Sequence, residues 1–137
     1  MKIGITGHRE SKWKDKQFAR QVVFEVLSKF KKRITILGSG HCPLGGVDIW
    51  AEEFAKNNNI KLKLFPPYKN LPSPERYLKR NREMIEWCDY LIAFISKYHP
   101  KNKGGSWYTI NYARKRNELV LLVLIDDKHK TYTMRFL

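Results

Sequence analysis

Apolar residues recur along the chain in two rhythms that alternate from end to end. Residues 2–6 form a short Ile-rich run that predicts a strand. From about 15 to 32, Phe18, Val22, Val26 and Phe30, with Ala19, Val23 and Leu27, recur at helical spacing. They predict an amphipathic helix over one sheet face. A second strand is expected over 33–37 and a second helix over 47–56, with Trp50 and Phe54 on one side and Asp48, Glu52 and Ala55 on another. In 60–65, Lys61 and Lys63 alternate with apolar residues, the pattern of an edge strand. Pro74 and Glu75 suit a helix start. That helix runs to about Trp87, with Tyr77, Asn81, Met84, Ile85 and Cys88 inward. Asn81 breaks this apolar stripe and needs partners if buried. Residues 89–95, Asp-Tyr-Leu-Ile-Ala-Phe-Ile, predict a strand covered on both faces. A polar loop over 96–103 and Gly104-Gly105 lead into a helix expected over 106–113. A fifth strand follows over 119–125, and the polar tail carries a short strand pattern at 132–136.

This alternation predicts an α/β fold, a Rossmann-like three-layer sandwich of about five parallel strands in the order 3-2-1-4-5, with helices on both faces. Residues 1–137 suit a single domain with one core. In that order the winding reverses between strands 1 and 4, and ligands bind beyond the carboxyl ends of strands at such a point. The loop Gly7-His8-Arg9 and the loop closing on Ser106 meet there, with the glycine-rich loop 38–46 beside them.

The strand, glycine loop and helix order around Gly104 and Gly105 favours a phosphate. The first amides of a helix have no intrahelical partner, and glycine lets an anion come close. Ser106 is either an N-cap or an additional hydroxyl donor. A plain tight turn is the competing reading. His8 is a candidate acid–base group and Arg9 a candidate phosphate ligand. Asp48 lies in the first turn of its helix, where it complements the dipole or receives a ligand hydroxyl.

Lys and Arg number 27 against 13 Asp and Glu, a net charge of +14, which favours an anionic partner. The basic residues are spread over many elements, so a cationic soluble surface accounts for them as well as a nucleic-acid footprint does. No apolar run approaches a membrane span, and Met1 leads directly into a strand pattern without a signal peptide. Two cysteines, Cys42 and Cys88, make neither a disulfide framework nor a metal site, and a reducing cytoplasm is expected.

Four segments in order are similar to the SLOG superfamily, and within it to the YpsA type. They are ITGHR at 5–9, GGVDIWAEEFA at 45–55, RNREMIEWCDYLIAF at 80–94 and GGSWYTINYARKRN at 104–117. The superfamily includes the DNA-processing protein DprA and the LOG phosphoribohydrolases. The resemblance implies a nucleotide, nucleotide derivative or nucleic acid in the crevice. The implied contacts are Gly7, Arg9, Gly45, Gly46 and Asp48 on the first half. On the second half they are Arg80, Asn81, Gly104, Gly105 and Ser106. LOG-type loops read Gly-Gly-x-Gly-Thr with glutamates close behind. Here residues 104–111 contain no carboxylate. Cleaving an N-glycosidic bond needs one, which leaves Asp48 and Glu52, with His8 assisting, as catalytic candidates.

Three functions follow as expectations. The leading one is a nucleotide-binding or nucleotide-sensing domain with no required cofactor beyond the bound nucleotide. The second is a nucleoside 5′-monophosphate N-glycosidase. The third is a single-stranded nucleic-acid binder using Trp13, Tyr68, Trp107 and Tyr108 as stacking surfaces. A homo-oligomer is compatible with all three.

Overall fold

A computed structural model describes all of residues 1–137. Its sheet contains β1 (Lys2–Gly7), β2 (Ile36–Ser39), β3 (Lys61–Leu64), β4 (Tyr90–Ser96), β5 (Leu119–Asp126) and β6 (Thr131–Phe136). The spatial order is β3-β2-β1-β4-β5-β6. The first five strands are parallel, in the order expected. The expected count of five is corrected to six. The tail turns back after β5 and pairs antiparallel, from Asp126 opposite Thr131 to Leu121 opposite Phe136.

Side-chain alternation in the central strands divides the core in two. Tyr90, Ile92 and Phe94 of β4 join Leu121, Val123 and Ile125 of β5 on one face. There they meet α1 (Lys16–Phe30) and α2 (Val47–Asn57), whose buried stripe includes Val22, Val26, Leu27, Trp50 and Phe54. Leu91, Ala93 and Ile95 face the other way. They meet α3 (Glu75–Trp87) and α4 (Gly104–Lys115) through Met84, Ile85, Trp107 and Ile110. A strand that feeds two cores has no polar face, which is why 89–95 reads as an uninterrupted apolar run.

Element ends follow local chemistry. Asp15 caps α1 by accepting from the Phe18 amide at 3.0 Å. The second strand begins three residues later than its pattern implies, because residues 31–33 wind into a final 3₁₀ turn after α1. The fourth helix begins at Gly104 rather than Ser106, with Lys103 as its N-cap residue. No helix is long and apolar enough to cross a membrane.

Asp127, just past β5, is 1% exposed and holds the segment between β1 and α1. Its Oδ2 accepts from the backbone amides of Lys14 (2.5 Å) and Asp15 (2.8 Å). Removing this acceptor strands two amides. Asp127→Ala is therefore expected to lower unfolding stability by about 2–4 kcal/mol. Urea titration measures this, and an unchanged midpoint would show that the anchor carries no stability.

Candidate functional site

A cleft of about 310 Å³ opens at the carboxyl ends of β1 and β4. The loop after β1 supplies Gly7, His8 and Arg9; the loop after β2 and the start of α2 supply Gly40, Cys42 and Asp48. Tyr77, Arg80 and Asn81 enter from α3, and Gly104, Gly105 and Ser106 from the first turn of α4. Most residues expected at the site thus meet in one place. Gly45, Gly46 and Glu52 do not line it.

The reasons for these three exceptions are visible in their packing. Gly46 has φ +87°, and a Cβ there would lie 2.4 Å from the His8 carbonyl oxygen. The next amide, Val47, donates to that carbonyl at 3.1 Å. A Cβ on Gly7 would in turn lie 2.5 Å from the Val47 side chain. The glycines lock two loops together, and neither Gly45 nor Gly46 faces the cavity. Glu52 is 4% exposed; its Oε2 accepts from Ser39 Oγ at 2.8 Å, and its Oε1 lies 2.9 Å from His41 Nδ1. That carboxylate ties α2 to the end of β2 and is spoken for.

Asp48 does reach the cleft. It is 8% exposed, and its Oδ2 accepts from the Cys42 amide at 3.3 Å. Burial pushes its carboxyl up from an ordinary 3.8 to about 6, against the opposing pull of Arg80. Arg80 is itself buried. Its guanidinium donates to the carbonyls of Gly40 and Phe65 and, through Nε, to Asn81 Oδ1 at 2.5 Å. It braces the loops after β2 and β3 while its charge borders the cavity. At Gly40 a Cβ would lie 2.8 Å from the Arg80 guanidinium and 2.9 Å from Asp48 Oδ2, so any larger residue there would push these two side-chain ends aside.

His8 is 6% exposed, and its Nε2 is buried without a partner. Burial, with His99 and Lys12 nearby, lowers its pKa from 6.5 to about 4. Its ring packs against Trp13 and, at 4.4 Å between centroids, against His99. Neither His99 nor Lys12 stood out in the sequence, yet both line the cleft. His99 sits in the loop before Gly104, and its Nε2 donates to the Lys103 carbonyl at 2.7 Å. Only the pairing of β1 with β4 brings it to His8, so periodicity carries no sign of the contact.

At the start of α4 no side chain caps the helix. Ser106 lies within the first turn, which corrects its reading as an N-cap, and its hydroxyl borders the cavity. The strained glycine is Gly104, at φ +86°. Gly105 is open, with nothing within 4 Å of a Cβ added there. The stacking surfaces expected for nucleic acid are reduced. Trp13 and Trp107 are 6% and 5% exposed, packed in the two cores. Tyr68 gives its hydroxyl to Glu83 and Tyr108 receives Arg82.

The solved structures include one of matching topology. TM1055, a structural-genomics target known from an X-ray structure, superposes with a TM-score of 0.63 at 12% identity, over 85% of this chain and 70% of its own. This chain has a Rossmann-like fold. At that identity the likeness concerns the fold alone. No protein-family model matches the chain. No curated protein matches it either.

The two perturbed groups in the cleft pull stability in opposite directions with pH. Folded Asp48 holds a proton between pH 3.8 and about 6 that the unfolded chain has lost, so its contribution falls as pH rises through that window. Folded His8 lacks a proton between about 4 and 6.5 that the unfolded chain binds, so its contribution rises there. Each amounts to about 3 kcal/mol, so these two contributions largely cancel between about pH 4 and 6. Asp48→Asn should expose the His8 slope, with stability rising by about 3 kcal/mol between pH 4 and 6.5. Chemical denaturation across pH measures it, and parallel profiles for parent and variant would refute the opposition.

Proposed function

We propose that this chain is a nucleotide-binding protein of the SLOG, YpsA-like type, which takes a nucleotide or nucleotide-derived small molecule into the cleft after β1 and β4. The observation that carries this reading is the meeting of the uncapped first turn of α4 with Arg9, a cation that forms no ion pair. Unpartnered first-turn amides and a free guanidinium are the donors that a phosphate requires. Asp48 from α2 and Asn81 from α3 also line the cleft, as partners for sugar or base hydroxyl and amide groups. The cavity volume suits a mononucleotide. Free Cys42 and Cys88 support a reducing cytoplasm as the compartment.

Mass spectrometry of the denatured purified protein, followed by calorimetry with a panel of mononucleotides, tests this function. Binding to none of them at low salt would end it. Gly105→Val refines the test. The site has open space and ordinary φ, so the variant should fold with unchanged thermal stability. Its isopropyl group should obstruct a phosphate at the α4 turn and weaken binding by about tenfold, or about 1.4 kcal/mol. Affinity equal to the parent's would place the phosphate elsewhere.

Asp48 favours a second reading, an N-glycosidic hydrolase acting on nucleoside monophosphates. A carboxyl group raised to about 6 keeps its proton in mildly acid solution and retains a larger protonated fraction near neutrality than an ordinary carboxyl, as suits a general acid to a departing base. Glu52, engaged by Ser39 and His41, has no part in it. Release of free base by the parent and its loss by at least about a hundredfold in Asp48→Asn would support this reading. Equal rates would remove Asp48 from the chemistry.

A further inference from the structure

A second cleft, of about 250 Å³, adjoins the first. His8, Lys12 and His99 border both, and the packed His8–His99 pair, its rings tilted by 38°, forms the seam between them. The second cleft adds Lys14 and Tyr98, with the Lys14 ammonium 5.1 Å from the Tyr98 ring centre. Arg9, Lys12 and Lys14 therefore follow one another along a continuous depression. All three are exposed, and none forms an ion pair.

Three acids at this end are engaged elsewhere, while Glu10, beside Arg9, forms no ion pair and faces a separate groove with Lys14. Asp126 takes the Tyr98 hydroxyl at 2.7 Å, His129 Nδ1 at 3.0 Å and Lys97 at 3.6 Å. Asp127 accepts the Lys14 and Asp15 amides, and Asp15 pairs with Lys130. Free lysines are common on a chain of net charge +14. These differ in bordering one groove whose seam contains a buried imidazole with an unpartnered Nε2. A buried polar atom without a partner is costly in a folded protein. A rotation of the ring that turns this N–H into the seam gives it an anion there as a partner. His99 has already given its Nε2 hydrogen to Lys103, so His8 and the lysines are the donors.

We propose that the seam and the second cleft form a polyphosphate subsite, so that the ligand is a nucleotide with at least two consecutive phosphates. The first phosphate sits at the α4 turn, and those beyond it pass the His8–His99 pair to reach Lys12 and Lys14. This rests on the nucleotide reading of the main cleft and narrows its ligand class. Charge-assisted hydrogen bonds to successive phosphates add affinity stepwise, and compact ammonium groups suit that task.

Calorimetry at one fixed salt concentration tests it, with the mono-, di- and triphosphates of adenosine, guanosine, cytidine and uridine, and with ADP-ribose as a bridged diphosphate. The preferred base should bind as its di- or triphosphate at least about tenfold more tightly than as its monophosphate. The ratio of the two dissociation constants should collapse toward one in Lys14→Glu, and shrink in Lys12→Ala. Both lysine side chains are exposed, and it is the Lys14 backbone, not its side chain, that Asp127 holds, so the variants retain the fold. Thermal unfolding verifies this. If ADP-ribose matches ADP, an internal diphosphate suffices; if it is weaker, a terminal phosphate is required, and both results support the subsite. Equal affinity for mono- and triphosphates, or a ratio unaffected by Lys14→Glu, overturns it while leaving nucleotide binding intact. Absence of binding by every nucleotide overturns the main-cleft reading together with the subsite.

Discussion

Every residue of β4 is buried, and the placement of polar chemistry depends on that constraint. The strand is covered by α1 and α2 on one face and by α3 and α4 on the other. Unpaired polar groups along it would lose hydration with no return. Its polar side chains stand only at its two ends, Tyr90 at the amino end and Ser96 at the carboxyl end, where the Tyr98 amide donates to the Ser96 hydroxyl at 3.1 Å. Charged and hydrogen-bonding residues therefore collect where the parallel strands stop. Because β1 and β4 are neighbours whose crossovers leave in opposite directions, the space beyond them is not filled by a connecting loop, and a cleft remains.

The walls of that cleft are held by close backbone contacts. Gly46 and Gly7 let the start of α2 sit directly against the loop after β1, and the Val47 amide closes the joint on the His8 carbonyl. Arg80 braces a second joint from the other side, through the carbonyls of Gly40 and Phe65. His8 and Asp48 are consequently buried in a rigid frame that favours the uncharged form of each, the imidazole above about pH 4 and the carboxyl below about pH 6.

Charge in this protein is informative by what it lacks. Across the surface Arg20, Arg82, Lys97 and Lys130 meet carboxylates and most other cations meet none, so what matters is where the unpaired ones gather. Around the mouth of the cleft, Arg9, Lys12 and Lys14 meet none. A field of uncompensated cations in a concave, partly dry surface draws anions to it more strongly than the same charges spread over a convex one. The buried Trp13 and Trp107 argue in the same direction, toward a small anionic ligand rather than a strand stacked along the surface.

Much of this could be read from residue order. The apolar run over β4, the helical stripe from Phe18 to Phe30 and the alternating lysines of β3 each report burial directly, because period and hydrophobicity are local properties. Strand order followed from the same pattern, since right-handed crossovers leave few topologies. The glycine loops marked the correct end of the sheet, and Gly104, Gly105, Arg9 and Asp48 were legible as residues of its cleft. Roles within that end were not. Whether a glycine faces a ligand or makes room for a backbone depends on what lies across from it, and for Gly46 that is His8, distant in sequence. Glu52 and Asp48 are four residues apart on one helix, yet Ser39 and His41 occupy the first carboxylate and leave the second to the cavity. The seam between His8 and His99 exists only because β1 pairs with β4. Sequence by itself determined the layers, the order of the strands and the end of the sheet at which the cleft opens. Tertiary structure decided which polar groups remain free there, because a partner is a matter of distance, and distance between remote residues is set only when the chain is folded.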